Sequence, residues 1–141
     1  MNSSKRVPGQ TGGTTATAQR SILLVSTRSA DMAAFAEALG SHSRMPVETA
    51  ASAEQALEAV RQGKAEMVVV DERLGETAGL DLIRRLLEVD AFIHTAVLSA
   101  AGEEDFHERS EGLGVLAKLP LVPGPDDARR LIELLNNITP H

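Results

Sequence analysis

Short runs of apolar residues recur along the chain, each followed by a stretch in which apolar residues return every three or four positions. Ile22-Leu23-Leu24-Val25 and Met67-Val68-Val69-Val70 are uninterrupted, as expected of strands buried on both faces of a parallel sheet. Pro46 to Ala50 predicts a shorter, less apolar strand, His94 to Ser99 a fourth and Gly114 to Lys118 a fifth. Between them lie the helical patterns. Met32, Phe35, Ala36 and Leu39 share a face, with Gly40 expected to stop the first helix. Ser52 and Gln55 form a capping-box pattern ahead of a helix that turns Ala53, Ala56, Leu57 and Val60 inward and ends at Gly63. Leu80, Ile83 and Leu87 mark a third. The fourth, near Glu103 to Ser110, has Phe106 as its only strong apolar residue and should pack loosely. The last begins near Asp126 and carries Ala128, Leu131, Ile132, Leu135 and Ile138 on one stripe.

Five strands alternating with five helices imply an α/β fold, a flavodoxin-like doubly wound parallel sheet of order 2-1-3-4-5. That order gathers the carboxyl ends of strands one, three, four and five on one rim, where open α/β sheets place ligands and chemistry. Asp71 ends the central strand there, followed by a loop with Gly75, Thr77 and Gly79. Residues 20–138 read as one domain. Residues 1–19, built of Ser, Thr, Gly and Gln with little to bury, read as a disordered tail, and residues 139–141 as a short C-terminal one.

Composition narrows the function classes. The 141 residues are 43% apolar, carried by Ala, Val, Leu and Ile, with three Phe and no Trp or Tyr. A net charge of −6 and the dearth of aromatics argue against nucleic-acid binding, which wants a basic stripe and stacking platforms. The absence of Cys removes disulfides, thiolate metal sites and a cysteine nucleophile. No apolar run reaches the ~18 residues of a membrane span, and the N-terminus lacks a signal peptide's apolar core, so a cytoplasmic location is expected. The four histidines show no metal-ligand spacing, and Gly112-Leu113-Gly114 leads into a strand, the wrong context for a dinucleotide fingerprint.

On this pattern the chain resembles the response-regulator receiver family over about residues 20 to 138. Asp71 is followed by Leu74-Gly75 where the family has an apolar residue and Pro, and Gly79-Leu80 opens the third helix. Ser99-Ala100 matches the family's Ser/Thr-Ala pair, and Lys118 its strand-five lysine. The resemblance implies a phosphoryl group accepted by Asp71 from a histidine kinase, with Ser99 and Lys118 binding its oxygens. The residue types suit those roles: a carboxylate can accept, a lysine offers a mobile point charge, and a hydroxyl can donate to an oxygen newly arrived.

The departures from the family's pattern would make the chain an atypical member. The family's acidic pair after strand one, which helps to bind Mg²⁺, is replaced by Ser26 and Thr27, hydroxyls that also suit a helix-capping turn. A full site has three carboxylates and one lysine. Here Asp71 and Lys118 are formally neutral before any metal arrives, and Arg73 would make the site positive if it turned inward. No cofactor is expected, and Mg²⁺, held by Asp71 and the Arg73 backbone, is doubtful. The aromatic switch position, three residues before the lysine, is Val115, and Leu119 separates Lys118 from Pro120. The resulting expectation is a stand-alone receiver-like signalling domain, not an enzyme, that meets protein partners through helix four, strand five and helix five. Two alternatives remain: a phosphorylation-independent localisation or assembly module, and a small-ligand-binding flavodoxin-like protein.

Overall fold

A computed structural model describes residues 20–138, so the expectations for residues 1–19 and 139–141 lie outside the described residues. The sheet strands are β1 Ser21–Val25, β2 Val47–Ala50, β3 Ala65–Asp71, β4 His94–Leu98 and β5 Ala117–Leu119, all parallel, in the order β2-β1-β3-β4-β5. The helices are α1 Ala33–Ser43, entered through a 3₁₀ turn Ser29–Met32, α2 Ala53–Arg61, α3 Gly79–Val89, α4 Glu103–Ser110 and α5 Pro125–Ile138. A two-residue antiparallel pair, Arg73–Leu74 with Thr77–Ala78, folds the chain back after β3 around Gly75 at φ 65°. This is the flavodoxin-like doubly wound architecture.

The period-two alternation of the strands sorts the core into two layers. Ile22, Leu24, Met67, Val69, Ala96, Leu98 and Leu119 face α1 and α5, where Met32, Phe35, Leu39, Leu131 and Leu135 meet them. Leu23, Val25, Val68, Val70 and Val97 face α2 and α3, with Leu57, Val60, Leu82, Ile83 and Leu86 across from them and Phe106 reaching in from α4. Apart from Ala96, each such side chain contributes ~1.5–3 kcal/mol on full burial.

At α2 the first half of the capping box forms, Ser52 Oγ accepting from Gln55 N at 3.2 Å, while Gln55 Oε1 accepts from Ala51 N at 2.9 Å, one residue before the N-cap. Other boundaries differ from the sequence reading. Gly40 lies inside α1, which continues to Ser43 and closes on Arg44 at φ 62°, whose N–H donates to the Gly40 carbonyl. β5 lies later than expected, at Ala117–Leu119. Ile138 is half exposed, so the inward stripe of α5 ends at Leu135. On α3, Leu82, Ile83 and Leu86 are buried, whereas Leu80 and Leu87 are only partly so. Among the described residues no helix is long and apolar enough to cross a membrane.

Candidate functional site

Asp71 is the last residue of β3, on the α1–α5 side of the sheet, and only 3% exposed. A buried carboxylate needs partners for its charge and its lone pairs. They come from the loop after β1. Ser26, itself buried, donates its hydroxyl to Asp71 Oδ2 at 2.8 Å. The same hydroxyl accepts the Arg28 backbone N–H at 2.8 Å, a local turn that carries the Arg28 side chain back across the rim. Arg28 then meets Asp71 with both prongs, Nε to Oδ2 at 2.9 Å and Nη2 to Oδ1 at 3.1 Å. The Glu72 backbone N–H donates to Oδ1 at 2.9 Å. Each oxygen therefore accepts two bonds, the capacity of an ionised carboxylate.

Arg28 does one thing more. Its Nη2 also donates to the Leu121 carbonyl at 2.9 Å, so a single guanidinium ties the loop after β1 to the end of β3 and to the loop after β5. The hydrogen bonding that Arg28 donates to Asp71, then the charge of Asp71, raise the Arg28 pKa from an already high ordinary value, against the opposing effect of burial. The planar fork suits two carboxylate oxygens as no ammonium would.

The close approach of α3 is also built for Asp71. A Cβ at Gly79 would clash with the Asp71 carbonyl oxygen, and Gly79 N–H donates to the Glu72 carbonyl at 2.8 Å. Only a residue without a side chain lets α3 begin against the end of β3.

The other site residues named from the sequence lie elsewhere. Ser99 is buried at the end of β4, and its hydroxyl accepts the Ala101 N–H at 3.0 Å, holding the turn toward α4. Thr27 is exposed. Arg73 points away from Asp71, its guanidinium donating to the Glu76 carbonyl at 3.4 Å. The cation beside Asp71 is thus Arg28 rather than Arg73 or Lys118. Lys118 pairs in register with Val97 and lies with Val115 along a groove beneath α4 that Glu103, Glu104 and His107 also line. The residue of β5 level with Asp71 is Leu119, through Leu98, and it belongs to the α1–α5 layer. One step of register puts Lys118 on the opposite face of the sheet. The Leu119–Pro120 peptide is trans.

Arg28 was absent from the sequence-derived site. Its signal was a guanidinium three residues past the end of a buried strand, on the rim where Asp71 had to be neutralised. The spacing of motif positions does not report it, because it fills the role of none of them.

Among solved structures, similar folds include the receiver domain of AraT, a response regulator from Geobacillus stearothermophilus, at TM-score 0.71 and 18% identity over 86% of this chain and 95% of that one. Chemotaxis protein CheY4 of Vibrio cholerae gives TM-score 0.70 and 16% identity over 86% and 100%. A Burkholderia pseudomallei response regulator, whose structure carries a phosphorylated aspartic acid and a calcium ion, gives 0.64 and 19% over 86% and 75%. At such identities the likeness is one of fold. No match was found among curated proteins. The model of the response regulator receiver domain family matches residues 22–120, the span holding both Asp71 and the arginine that clasps it, and the chain belongs to that family.

Proposed function

We propose that this receiver domain works without phosphotransfer, as a pseudo-receiver whose surface is read by a protein partner. The observation that carries the reading is the saturated Asp71 carboxylate. A phosphoryl acceptor must present a free oxygen lone pair to the incoming phosphorus. Here each oxygen accepts two hydrogen bonds, and a guanidinium stands 2.9 Å away.

The donor set does not fit Mg²⁺ either. That ion takes hard oxygen ligands and keeps its waters. Ser26 already donates toward Asp71 rather than offering a lone pair in its direction. Arg28 brings a fixed positive charge to the same carboxylate. A cation-dependent site has in effect been given a covalently attached cation. With Lys118 on the far face, the residue that would have met the phosphoryl oxygens is also turned away.

Two-component receivers signal through contact with other proteins, and the surface of α4, β5 and α5 is the proposed contact here. A histidine kinase as phosphoryl donor belongs to the competing reading, in which Asp71 is the working acceptor. The test is an amide NMR titration with beryllofluoride, a phosphoryl mimic, with and without Mg²⁺. The expected result is an unchanged spectrum around Asp71, Ser99 and α4 at millimolar Mg²⁺. Saturable, Mg²⁺-dependent shifts that disappear in Asp71→Ala would overturn the proposal and reinstate phosphotransfer.

A further inference from the structure

A second feature lies on the other side of the sheet. α3 and α4 splay apart there, leaving a groove of about 470 Å³, within the size range of small-molecule sites. Its floor is apolar: Leu80, Val97, Ala101 and Phe106. Three arginines from three different elements stand around it, Arg73 from the hairpin, Arg84 from α3 and Arg109 from α4. In a chain of net charge −6, three guanidiniums against the two carboxylates of the same lining leave the groove at a formal +1.

None of the three is committed to a strong partner. Arg84 pairs with Asp81 one turn away at 2.6 Å and Arg109 with Asp105 at 3.2 Å, both pairs exposed. Exposed pairs within one helix hold their partners weakly. Arg73 has one long bond, to the Glu76 carbonyl. All three can turn to an anion at small cost. Besides Ala78 and Ser99, two carboxylates, Glu72 and Asp81, belong to the lining. They would repel a uniformly acidic peptide, but they suit a ligand that carries hydroxyl or amino donors as well as its negative group.

We propose that this groove binds a nucleoside phosphate, with the phosphate among Arg73, Arg84 and Arg109, the ring over the apolar floor, and ribose or base donors on Glu72 and Asp81. Guanidiniums match phosphate oxygens bidentately. Glu72 also accepts the Ala100 N–H at 3.1 Å, at the turn leading to α4. A ligand drawing on Glu72 therefore bears on the placement of α4. The groove shares Glu72 and Ser99 with the Asp71 rim, but its lining includes neither Asp71 nor Arg28.

The experiment is an amide NMR titration of the full chain with AMP and with GMP, with inorganic phosphate and adenosine as separate controls. At least one nucleotide is expected to give saturable shifts at Val97, Ala101 and Phe106. Arg84→Ala and Arg109→Ala, both solvent-exposed positions, should each weaken binding about tenfold, the loss of one charge-assisted bond. Absence of shifts with both nucleotides overturns the proposal. So do shifts reproduced by phosphate alone, which mean a general anion patch, and affinities unchanged in both arginine variants.

Discussion

The two faces of the sheet are finished differently. On the α1–α5 side, Phe35 and Leu39 interlock with Leu131 and Leu135, and the rim above them is closed by the Arg28–Asp71 clasp. On the other side, α4 is attached through one buried residue, Phe106, and open grooves flank it. One face is built to stay as it is, while the other has a helix that can be moved at little cost. A partner or ligand acting on this domain would therefore find its leverage at α4, and the Asp71 rim would act as the fixed frame.

The sharpest way to break that comparison is to truncate one aromatic from each side. Phe35→Ala should cost ~3–5 kcal/mol in denaturant-induced unfolding, the usual penalty for a fully buried ring. Phe106→Ala should fall at or below the low end of that range, with faster amide exchange confined to α4. Equal losses, or exchange spreading to α1 and α5 in the Phe106 variant, would show that the two faces are equally rigid.

Next comes the clasp. Arg28→Ala leaves the buried Asp71 charge without its main partner and should cost about 2–3 kcal/mol, less than the ~3–5 of a wholly buried pair because Arg28 is one-third exposed. Adding Asp71→Asn removes the orphaned charge and should recover part of the loss. A double variant as unstable as the sum of its singles would deny the coupling. Gly79→Ala should cost ~1–3 kcal/mol by forcing α3 away from the Asp71 carbonyl; a thermal melt matching the parent's would contradict the close packing of α3 on the end of β3.

The smallest effect is with pH. Arg28 titrates higher in the folded state than its ordinary value, so its contribution is fully present below that ordinary value and lost only as pH rises through the raised one. From pH ~7 to ~10, where a free guanidinium stays charged, the stability difference between the parent and Arg28→Ala should stay constant. A difference that shrinks over that interval would mean that something other than the guanidinium charge holds the rim.

The strands, their order and the position of Asp71 were legible because uninterrupted apolar runs and the 3.6-residue period are direct statements about burial. The loose α4 was legible for the same reason, since a helix with one strong apolar residue has little to bury. Two things were not. Lys118 matches a motif in sequence, but a strand alternates its faces, and where β5 begins decides which side a residue takes. Gly114 and Val115 looked like strand, yet the chain joins β4 only from Leu116, whose N–H donates to the Thr95 carbonyl, and the register that sets Lys118 beside Val97 puts the lysine on the α4 side. Arg28 was hidden for a different reason. A long side chain reaching back from a loop is placed by the turn that Ser26 makes, and no periodicity encodes it. Gly40 misled because a helix interior tolerates glycine when packing supplies the stability, at a cost of ~1 kcal/mol relative to Ala.

The third bond of Arg28 has a consequence for how the molecule assembles. Its acceptor, Leu121, lies 93 residues further along the chain. Closing so large a loop is entropically late, after the strands between have paired. The clasp should thus be missing from the folding transition state, and loosening it should hasten unfolding while refolding keeps its pace. Stopped-flow chevrons of the parent and Arg28→Ala would differ in the unfolding arm alone, making this arginine a timer on the folded lifetime; a slowed refolding arm would instead place it in the nucleus.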